Sequence, residues 1–204
     1  MYNFIAFDLE TTGTKPGIDE IVEIGAVKFV NSKATDSFEI LVKTTKPIPA
    51  EATKVHGITN EMLKDATSLE QSLVKFAEFC GDTILVAHNA AFDVKFLTHF
   101  INQLQVAAPS GLVIDSYKIA KQTMKDLYNF RLEGLAKHFS LKLGKFHRAK
   151  DDSRMCGEVF IELVKNLSTT RGESLVSIET LINLTGSEMK LPQFVPAAQQ
   201  MGLF

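Results

Sequence analysis

The amino-acid sequence predicts an α/β fold, in which a mixed sheet carries helices on its faces. Three observations support this prediction: three β-rich runs follow one another near the start, apolar strands then alternate with helical patterns, and several helical patterns close the region. The order βββαβαβα with further helices is typical of a mixed sheet with helices packed against it.

The first three runs predict an antiparallel meander. Residues 4–10 form a mostly apolar run that ends at Thr11-Thr12-Gly13, which favours a buried strand and a turn. Residues 21–30 and 38–42 are two more β-rich runs, separated by the polar turn Asn31-Ser32-Lys33. Short connections of this kind join neighbouring antiparallel strands.

Helices and strands then alternate along the chain. Ser68-Leu69-Glu70-Gln71 has the form of a capping box, and apolar residues follow it at helical spacing to Phe79. A short apolar strand at 83–87 precedes a helix that begins at about residue 90, and 112–115 forms the last predicted strand. Three further helical patterns lie near residues 116–124, 132–139 and 151–167.

The length of 204 residues fits one domain with a short appendage. We expect a domain over residues 1–167 and a C-terminal extension over 168–204. Within the extension, 175–184 favours one short helix, and the last 20 or so residues, with Pro192 and Pro196, favour an extended tail.

Composition points to a globular cytoplasmic protein. Hydrophobic residues make up 45% and charged residues 23%, and no apolar run approaches the ~18 residues of a membrane span. The first four residues lack the features of a signal peptide. Cys80 and Cys156 are the only cysteines, which argues against a disulfide framework or a thiolate zinc site.

The net charge of −2 does not make the chain a polycation that would coat nucleic acid. One segment is locally basic and could guide a phosphate backbone, or could be a solvated helix-and-loop face. Its cations are Lys137, Lys142, Lys145, Arg148, Lys150 and Arg154, against Asp151 and Asp152. Charge therefore permits nucleic acid as a partner without establishing it.

Asp8 and Glu10 are the first candidate site residues. They stand two apart in an apolar strand, so both carboxylates project from one face. Buried like charges are costly unless a cation neutralises them, and carboxylate oxygens suit Mg²⁺ or Mn²⁺. The alternative is an edge strand with two solvated acids.

Asp93 and Asp152 each fall in the first turn of a predicted helix. A carboxylate there is also stabilised by the helix dipole, so neither residue alone indicates a site. Asp151 would point about 100° away from Asp152 around the helix, so only one of the two can face a shared site.

Four segments together resemble the DnaQ-like 3′→5′ exonucleases. Residues 7–13 (Phe-Asp-Leu-Glu-Thr-Thr-Gly) resemble the first exonuclease motif, 88–93 (His-Asn-Ala-Ala-Phe-Asp) the second and 147–152 (His-Arg-Ala-Lys-Asp-Asp) the third, and 55–59 (Val-His-Gly-Ile-Thr) matches a segment often found between the first two. The histidine that opens the third motif is typical of the DEDDh branch. Within it the motifs are most similar to those of proofreading epsilon subunits of bacterial DNA polymerase III.

The resemblance implies a ribonuclease-H-like five-stranded sheet and hydrolysis of DNA from a 3′ end to 5′-mononucleotides. By position, Asp8, Glu10, Asp93 and Asp152 would ligate two Mg²⁺ or Mn²⁺ ions, and His147 would be the general base. The chemistry agrees, because two ions about 3.5–4 Å apart can stabilise both the attacking and the leaving oxygen. Imidazole can accept a proton near neutral pH.

The resemblance also implies contacts to the 3′-terminal nucleotide. His56-Gly57 could instead be a simple turn and Phe92 a core residue, because aromatic side chains are as often buried as stacked on bases. The candidate contacts are Leu9, Thr11, Glu51, Ala52, His56, Asn89 and Phe92.

The last five residues, Gln200-Met201-Gly202-Leu203-Phe204, resemble the Gln-x-x-Leu-Phe peptide that binds the bacterial sliding clamp. Two adjacent apolar side chains, Leu203 and Phe204, would anchor such a peptide, with Gln200 beside them, and the tail before them would act as a tether. The alternative is a terminal apolar cluster that folds back or stays disordered.

Several functions stay open at this point. The leading hypothesis is a DNA exonuclease in proofreading or repair, which a polymerase catalytic subunit could hold. The same acids and histidine serve exoribonucleases such as ribonuclease T and oligoribonuclease, and no residue reveals a 2′-hydroxyl contact. Two further hypotheses are an inactive nucleic-acid or clamp-binding module and an endonuclease on a related sheet. The clamp-like tail favours DNA.

Overall fold

The computed structural model describes residues 2–142 and 147–194, and it confirms the predicted mixed five-stranded sheet. The strands lie in the order β3-β2-β1-β4-β5. β2 is antiparallel to β1 and β3, whereas β4 is parallel to β1 and β5. The bounds are β1 Phe4–Thr11, β2 Ile21–Val30, β3 Lys33–Leu41, β4 Leu85–Ala87 and β5 Val113–Asp115.

Six of the seven α-helices in the described residues, all but the first, occur where helical periodicity predicts them. Ser68 caps the second helix, since its hydroxyl oxygen accepts a hydrogen bond from the Gln71 N–H. The helices are α1 Ala50–His56, α2 Leu69–Cys80, α3 Ala91–Leu104, α4 Ser116–Thr123, α5 Leu132–His138, α6 Ala149–Arg171 and α7 Ile178–Thr185, with a short 3-10 helix at Glu61–Leu63.

Strand β1 lies at the centre of the sheet because both of its faces are apolar. Phe7 and Leu9 belong to the core cluster that includes buried residues of α2 and α3. Phe4 and Ala6 belong to the opposite cluster, which includes buried residues of α6. Side chains alternate along a strand, so Asp8 and Glu10 continue the face that α6 covers.

Strand β3 begins at Lys33 rather than at Phe38, and the turn before it is correspondingly tighter. Asn31 and Ser32 have φ angles of 51° and 62°, the left-handed conformation that joins two antiparallel strands through two residues. The first five residues of β3 are exposed at the sheet edge. The alternating apolar pattern that predicts a strand is therefore absent there.

Helix α1 and the 3-10 helix after it were not predicted. Only His56 of the seven residues of α1 is buried, so the helix has no apolar stripe. It ends at Gly57, whose φ of 72° is the left-handed conformation that glycine adopts easily at a helix end. His56-Gly57, for which a simple turn was the alternative to a substrate contact, is thus the end of a helix.

The residues after 167 pack against the same hydrophobic core as the residues before them. The expected domain boundary falls inside α6, which ends at Arg171, and Val176 and Leu181 are buried in the cluster with α6. The Val113 N–H of β5 donates to the Met189 carbonyl oxygen at 2.9 Å. The division into domain and extension stays a prediction. Across residues 2–142 and 147–194, no helix has both the length and the apolar character to cross a membrane.

Candidate active site

Three acids from two elements converge on the α6 side of the sheet. Asp8 and Glu10 project from β1, and Asp152 lies in the first turn of α6. One carboxylate oxygen of each lies within 4.8 Å of the others. Residues separated by most of the chain thus form one acidic cluster, as the sequence predicts.

Asp93 lies in the first turn of α3 with only 3% of its surface exposed. Among the described residues, it is not part of the set within 4.8 Å. Its charge nevertheless raises the pKa of both Asp8 and Glu10, so it belongs to the same electrostatic environment. The predicted fourth acid is therefore buried near the cluster.

Burial raises the pKa of all four carboxyl groups, and the charges of neighbouring acids raise each of them further. Burial is the largest cause for Asp8, whose pKa lies well above its ordinary value, followed by the charges of Asp93 and Glu10. Burial raises the pKa of Glu10 and of Asp93 to about 8 and that of Asp152 to about 6. A cation bound beside these groups would lower their pKa values and favour the ionised forms.

The chemistry of these donors fits a divalent cation. Asp152 Oδ2 accepts a hydrogen bond from the His147 N–H at 2.9 Å. Asp152 Oδ1 is buried and, among the described residues, has no hydrogen-bond partner. An unpaired buried carboxylate oxygen beside two further carboxylates is the hard oxygen set that Mg²⁺ and Mn²⁺ prefer.

His147 precedes α6 and adopts a left-handed backbone conformation, with φ of 65°. Its backbone N–H binds Asp152, while its side chain is exposed. A non-glycine residue in this conformation is uncommon, and such residues concentrate at functional sites. The imidazole thus stands in solvent beside the acidic cluster.

A pocket of about 350 Å³ opens beside Glu10, between the end of β1 and helix α1. Six of the seven predicted nucleotide contacts line it: Leu9, Thr11, Glu51, Ala52, His56 and Phe92. Thr12, Gly13, Thr14, Pro49 and Val55 complete the wall with Glu10. The pocket is mostly apolar with a few polar groups, as ligand sites usually are.

His56 contributes a buried ring to this pocket. Its Nδ1 accepts a hydrogen bond from the Ile58 N–H at 3.0 Å, so the proton of the neutral ring is on Nε2. Burial lowers the pKa of His56 and favours that neutral form. Nε2 is buried, and a hydrogen bond with the Thr11 backbone raises the pKa of His56 without offsetting the effect of burial.

Asn89 is the predicted contact that does not line the pocket. It has a φ of 64°, and its N–H donates to Asp115 Oδ1 at 3.1 Å, which fixes the turn between β4 and α3. The preceding His88 binds Ser116 Oγ and the Phe130 carbonyl oxygen, each at 2.9 Å. Burial lowers the pKa of His88 to about 4, so this ring is neutral and structural.

Much of the predicted basic segment is engaged in ion pairs. Arg148 binds Glu23 and Glu39, and Lys150 also binds Glu39. Lys137 binds Glu133 at 2.6 Å, whereas Lys142 and Arg154 are exposed and Lys145 lies outside the described residues. These pairs reduce the positive field that the sequence predicts for this segment.

Two fully buried acids were not singled out from the sequence. Asp115 accepts hydrogen bonds from the N–H groups of Tyr117 and Lys118, and its charge raises the pKa of Asp93. Glu23 lies opposite Glu10 in the sheet. A charged residue inside the apolar run Ile21-Val22-Glu23-Ile24 was the signal that could have identified it.

The predicted clamp peptide, with Gln200, Leu203 and Phe204, lies outside the described residues. Its proposed role stays a prediction from the sequence.

Known proteins are similar to this chain in both sequence and fold. DNA polymerase III PolC-type of Caldanaerobacter subterraneus subsp. tengcongensis is 39% identical over 179 residues, which cover 88% of this chain and 13% of that polymerase. DNA polymerase III subunit epsilon of Treponema pallidum is 36% identical over 171 residues, which cover 83% of this chain and 80% of that subunit. The chain therefore spans only a small part of the PolC-type relative.

A solved exonuclease X, in complex with 5′ overhanging duplex DNA, superposes with a TM-score of 0.69 at 24% identity, covering 90% of this chain and 99% of that one. This likeness confirms the ribonuclease-H-like fold. The family model described as Exonuclease (RNase_T) matches residues 5–160. The match includes all four predicted metal ligands and His147, and this chain belongs to that exonuclease family.

Proposed function

We propose that this chain is a metal-dependent 3′→5′ exonuclease that hydrolyses single-stranded or frayed DNA ends to 5′-mononucleotides, in proofreading or repair. One observation carries the proposal: the carboxylates of Asp8, Glu10 and Asp152 converge beside a pocket of about 350 Å³ that opens next to Glu10. Acids and pocket together suit a reaction in which a terminal nucleotide is held while its phosphodiester bond is hydrolysed.

In this proposal the three clustered acids, together with Asp93, hold two Mg²⁺ or Mn²⁺ ions. When bound, such ions stabilise the charge that develops on the oxygens of the scissile phosphate. The pocket orients the terminal nucleotide, with Leu9 and Phe92 packed on its base and His56 in the wall beside it. The exposed His147 imidazole accepts the proton of the attacking water.

The proposals of a DNA substrate and of a cytoplasmic location rest on the relatives. The T. pallidum relative is named as a DNA polymerase III subunit, and exonuclease X was solved with DNA. We propose that this chain likewise acts in the cytoplasm on DNA and associates with a polymerase catalytic subunit.

The motif at Gln200, Leu203 and Phe204 adds a sliding clamp as a proposed partner. A comparison of the clamp affinity of the full chain with that of a chain lacking 201–204 tests this proposal directly. Equal affinity of the two would end the clamp proposal.

Product analysis tests the nuclease proposal. Single-stranded DNA labelled at the 3′ or the 5′ end, a mismatched duplex and RNA of the same sequence are incubated with the protein and Mg²⁺ or Mn²⁺. We expect the 3′ label to appear first as a mononucleotide and the 5′ label to form a descending ladder. Asp8→Asn and Asp152→Asn should abolish both patterns, and chelator should do the same.

Asp151→Asn is the matched control, because it removes a neighbouring carboxylate in the same turn that is not part of the cluster. Activity retained by Asp8→Asn or Asp152→Asn would reject the metal assignment. Faster degradation of RNA would favour an exoribonuclease, and cleavage of closed circular DNA would favour an endonuclease. If no substrate shows Mg²⁺-dependent release of nucleotides, the chain is a binding module without nuclease activity.

A further inference from the structure

Glu23 is a buried acid that has no evident place in the metal cluster. It lies on β2 with 0% of its surface exposed, opposite Glu10 in the β1–β2 pair. Its charge adds to the repulsion on Asp8 and Glu10, yet among the described residues it is not part of the set within 4.8 Å. A fifth buried carboxylate beside this cluster is costly, so its contacts must compensate.

Both oxygens of Glu23 are occupied by donors from the start of α6. Arg148 donates from Nε to both oxygens at 3.2 Å and from Nη2 to Oε1 at 2.6 Å. The Ala149 N–H donates to Oε2 at 2.9 Å. Ala149 is the first residue of α6, and Arg148 at the N-cap position makes no side-chain cap of its own. Glu23 therefore caps α6 from a neighbouring strand, with the charge that a helix N-terminus favours.

The same strand supports the next residues of α6. Gly25 follows Glu23 on the same face, opposite Asp8, and a Cβ there would meet the Ala149 and Lys150 backbone at 2.1–2.5 Å. Ser153 Oγ donates to the Gly25 carbonyl oxygen at 2.9 Å. Glu23, Gly25 and Ser153 thus fix the first turn of α6 against β2.

The start of α6 supplies two further site residues, Asp152 in its first turn and His147 just before it. The Asp152 N–H donates to the Arg148 carbonyl oxygen at 2.9 Å. The His147 N–H in turn donates to Asp152 Oδ2. Arg148 lies between the two in the sequence and is anchored by Glu23. An anchor at Arg148 and Ala149 therefore sets the position of both His147 and Asp152.

We infer that Glu23 is a positioning residue, which acts through Arg148 and Ala149 to place Asp152 and His147 against the acids of β1. The inference rests on the proposed function for its effect on catalysis. Its effect on metal binding rests on the proposed metal site, whereas its effect on the local stability of α6 depends on the contacts alone.

Glu23→Gln tests this inference, because glutamine keeps the size but loses the charge that pairs with Arg148. The matched control is Glu39→Gln, since Glu39 binds the same Arg148 Nη2 at 3.0 Å but lies partly exposed on the edge strand. Three quantities are compared with the unsubstituted chain: Mn²⁺ affinity by calorimetry, amide hydrogen exchange of 149–153, and kcat and KM on single-stranded DNA.

For Glu23→Gln we expect kcat to fall by ~10–100-fold with little change in KM, because a misplacement of about 1 Å can cost about 10²-fold. The Kd for Mn²⁺ should rise by roughly 10-fold, as it does when a partner that orients a metal ligand is lost. Exchange should accelerate in residues 149–153 and leave the core strands unchanged. Glu39→Gln should change none of these by more than about threefold, the small effect usual for partly exposed ion pairs.

If Glu23→Gln does not fold, Arg148→Lys replaces it, because lysine keeps the charge but cannot make the forked contact. Unchanged Mn²⁺ affinity and exchange in the folded variant would overturn the inference. So would equal losses in Glu39→Gln, or exchange that accelerates uniformly along the chain. If the unsubstituted protein shows no nuclease activity, the proposed function fails, while Mn²⁺ affinity and exchange still decide on Glu23.

Discussion

Gly25→Ala adds one methyl group where β2 meets the start of α6. The new Cβ would lie 2.1 Å from the Ala149 carbonyl carbon and 2.2 Å from the Lys150 nitrogen. Carbon atoms in contact are normally about 3.5–4.0 Å apart, so the helix start must retreat by roughly 1.4 Å. Both obstructing atoms belong to the backbone, and no side-chain rotation can relieve the contact.

The retreat of α6 should lower both the stability of the protein and the rate of catalysis. Overpacking of this kind costs about 1–3 kcal/mol, which for a chain of this size lowers Tm by roughly 2–12 °C. Asp152 moves with the helix start, away from Asp8 and Glu10. A displacement of about 1 Å at a reacting centre costs about 100-fold in rate, equivalent to about 2.7 kcal/mol of transition-state stabilisation.

The assay compares kcat on 5′-labelled single-stranded DNA and Tm for Gly25→Ala and Gly157→Ala. Gly157 lies on the same helix, and its Cβ would meet Phe29 Cε2 at 2.2 Å, away from the acids. We expect Gly157→Ala to lower Tm while kcat stays within about threefold, because the clash is with one ring in the core. A folded Gly25→Ala with unchanged kcat, or an equal loss of kcat in both variants, would refute the reasoning.

Three further predictions follow from the site. Burial raises the pKa of Glu10 and Asp93 to about 8, so the folded state keeps protons that the unfolded chain releases above about pH 4. The metal-free protein should therefore lose stability as pH rises from about 5 to 8, and Mg²⁺ should restore it; a Tm in chelator that does not fall between pH 6 and pH 8 would contradict this. His147→Ala should lower kcat by ~10²–10⁴ with little change in Mn²⁺ affinity, and steady-state kinetics showing less than about a threefold loss would remove it as general base. His88→Ala deletes two partly buried hydrogen bonds and should lower the free energy of unfolding in urea by about 1–3 kcal/mol, whereas unchanged stability would show that the ring is not structural.

The sequence predicted the sheet and most helices because their signals are local. Alternation in β1 placed Asp8 and Glu10 on one face, and the capping pattern at Ser68 located α2. Helix α1 could not be predicted because it buries only His56, and the start of β3 could not be predicted because it is exposed. Hydrophobic periodicity indicates an element that is buried along one side, and neither segment is buried in this way.

The acids were predicted by their pattern, but the contacts that hold them were not. Glu23 and Arg148 are 125 residues apart in the chain, and no local rule pairs them. The orientation of His56 depends on the Ile58 N–H, and the role of Gly25 depends on how closely α6 approaches β2. Such features arise from tertiary packing, which a single sequence does not display.

The acids of the cluster come from distant elements of the chain, so the cluster assembles in stages during synthesis. Asp8 and Glu10 emerge from the ribosome before Asp152, which follows only after β5, α4 and α5 have been made. Until α6 docks on β2, the nascent chain carries an incomplete set of acids, because domains acquire their tertiary contacts only once the necessary segments are available. The complete acidic cluster should therefore form only after α6 has been made and has docked on the sheet.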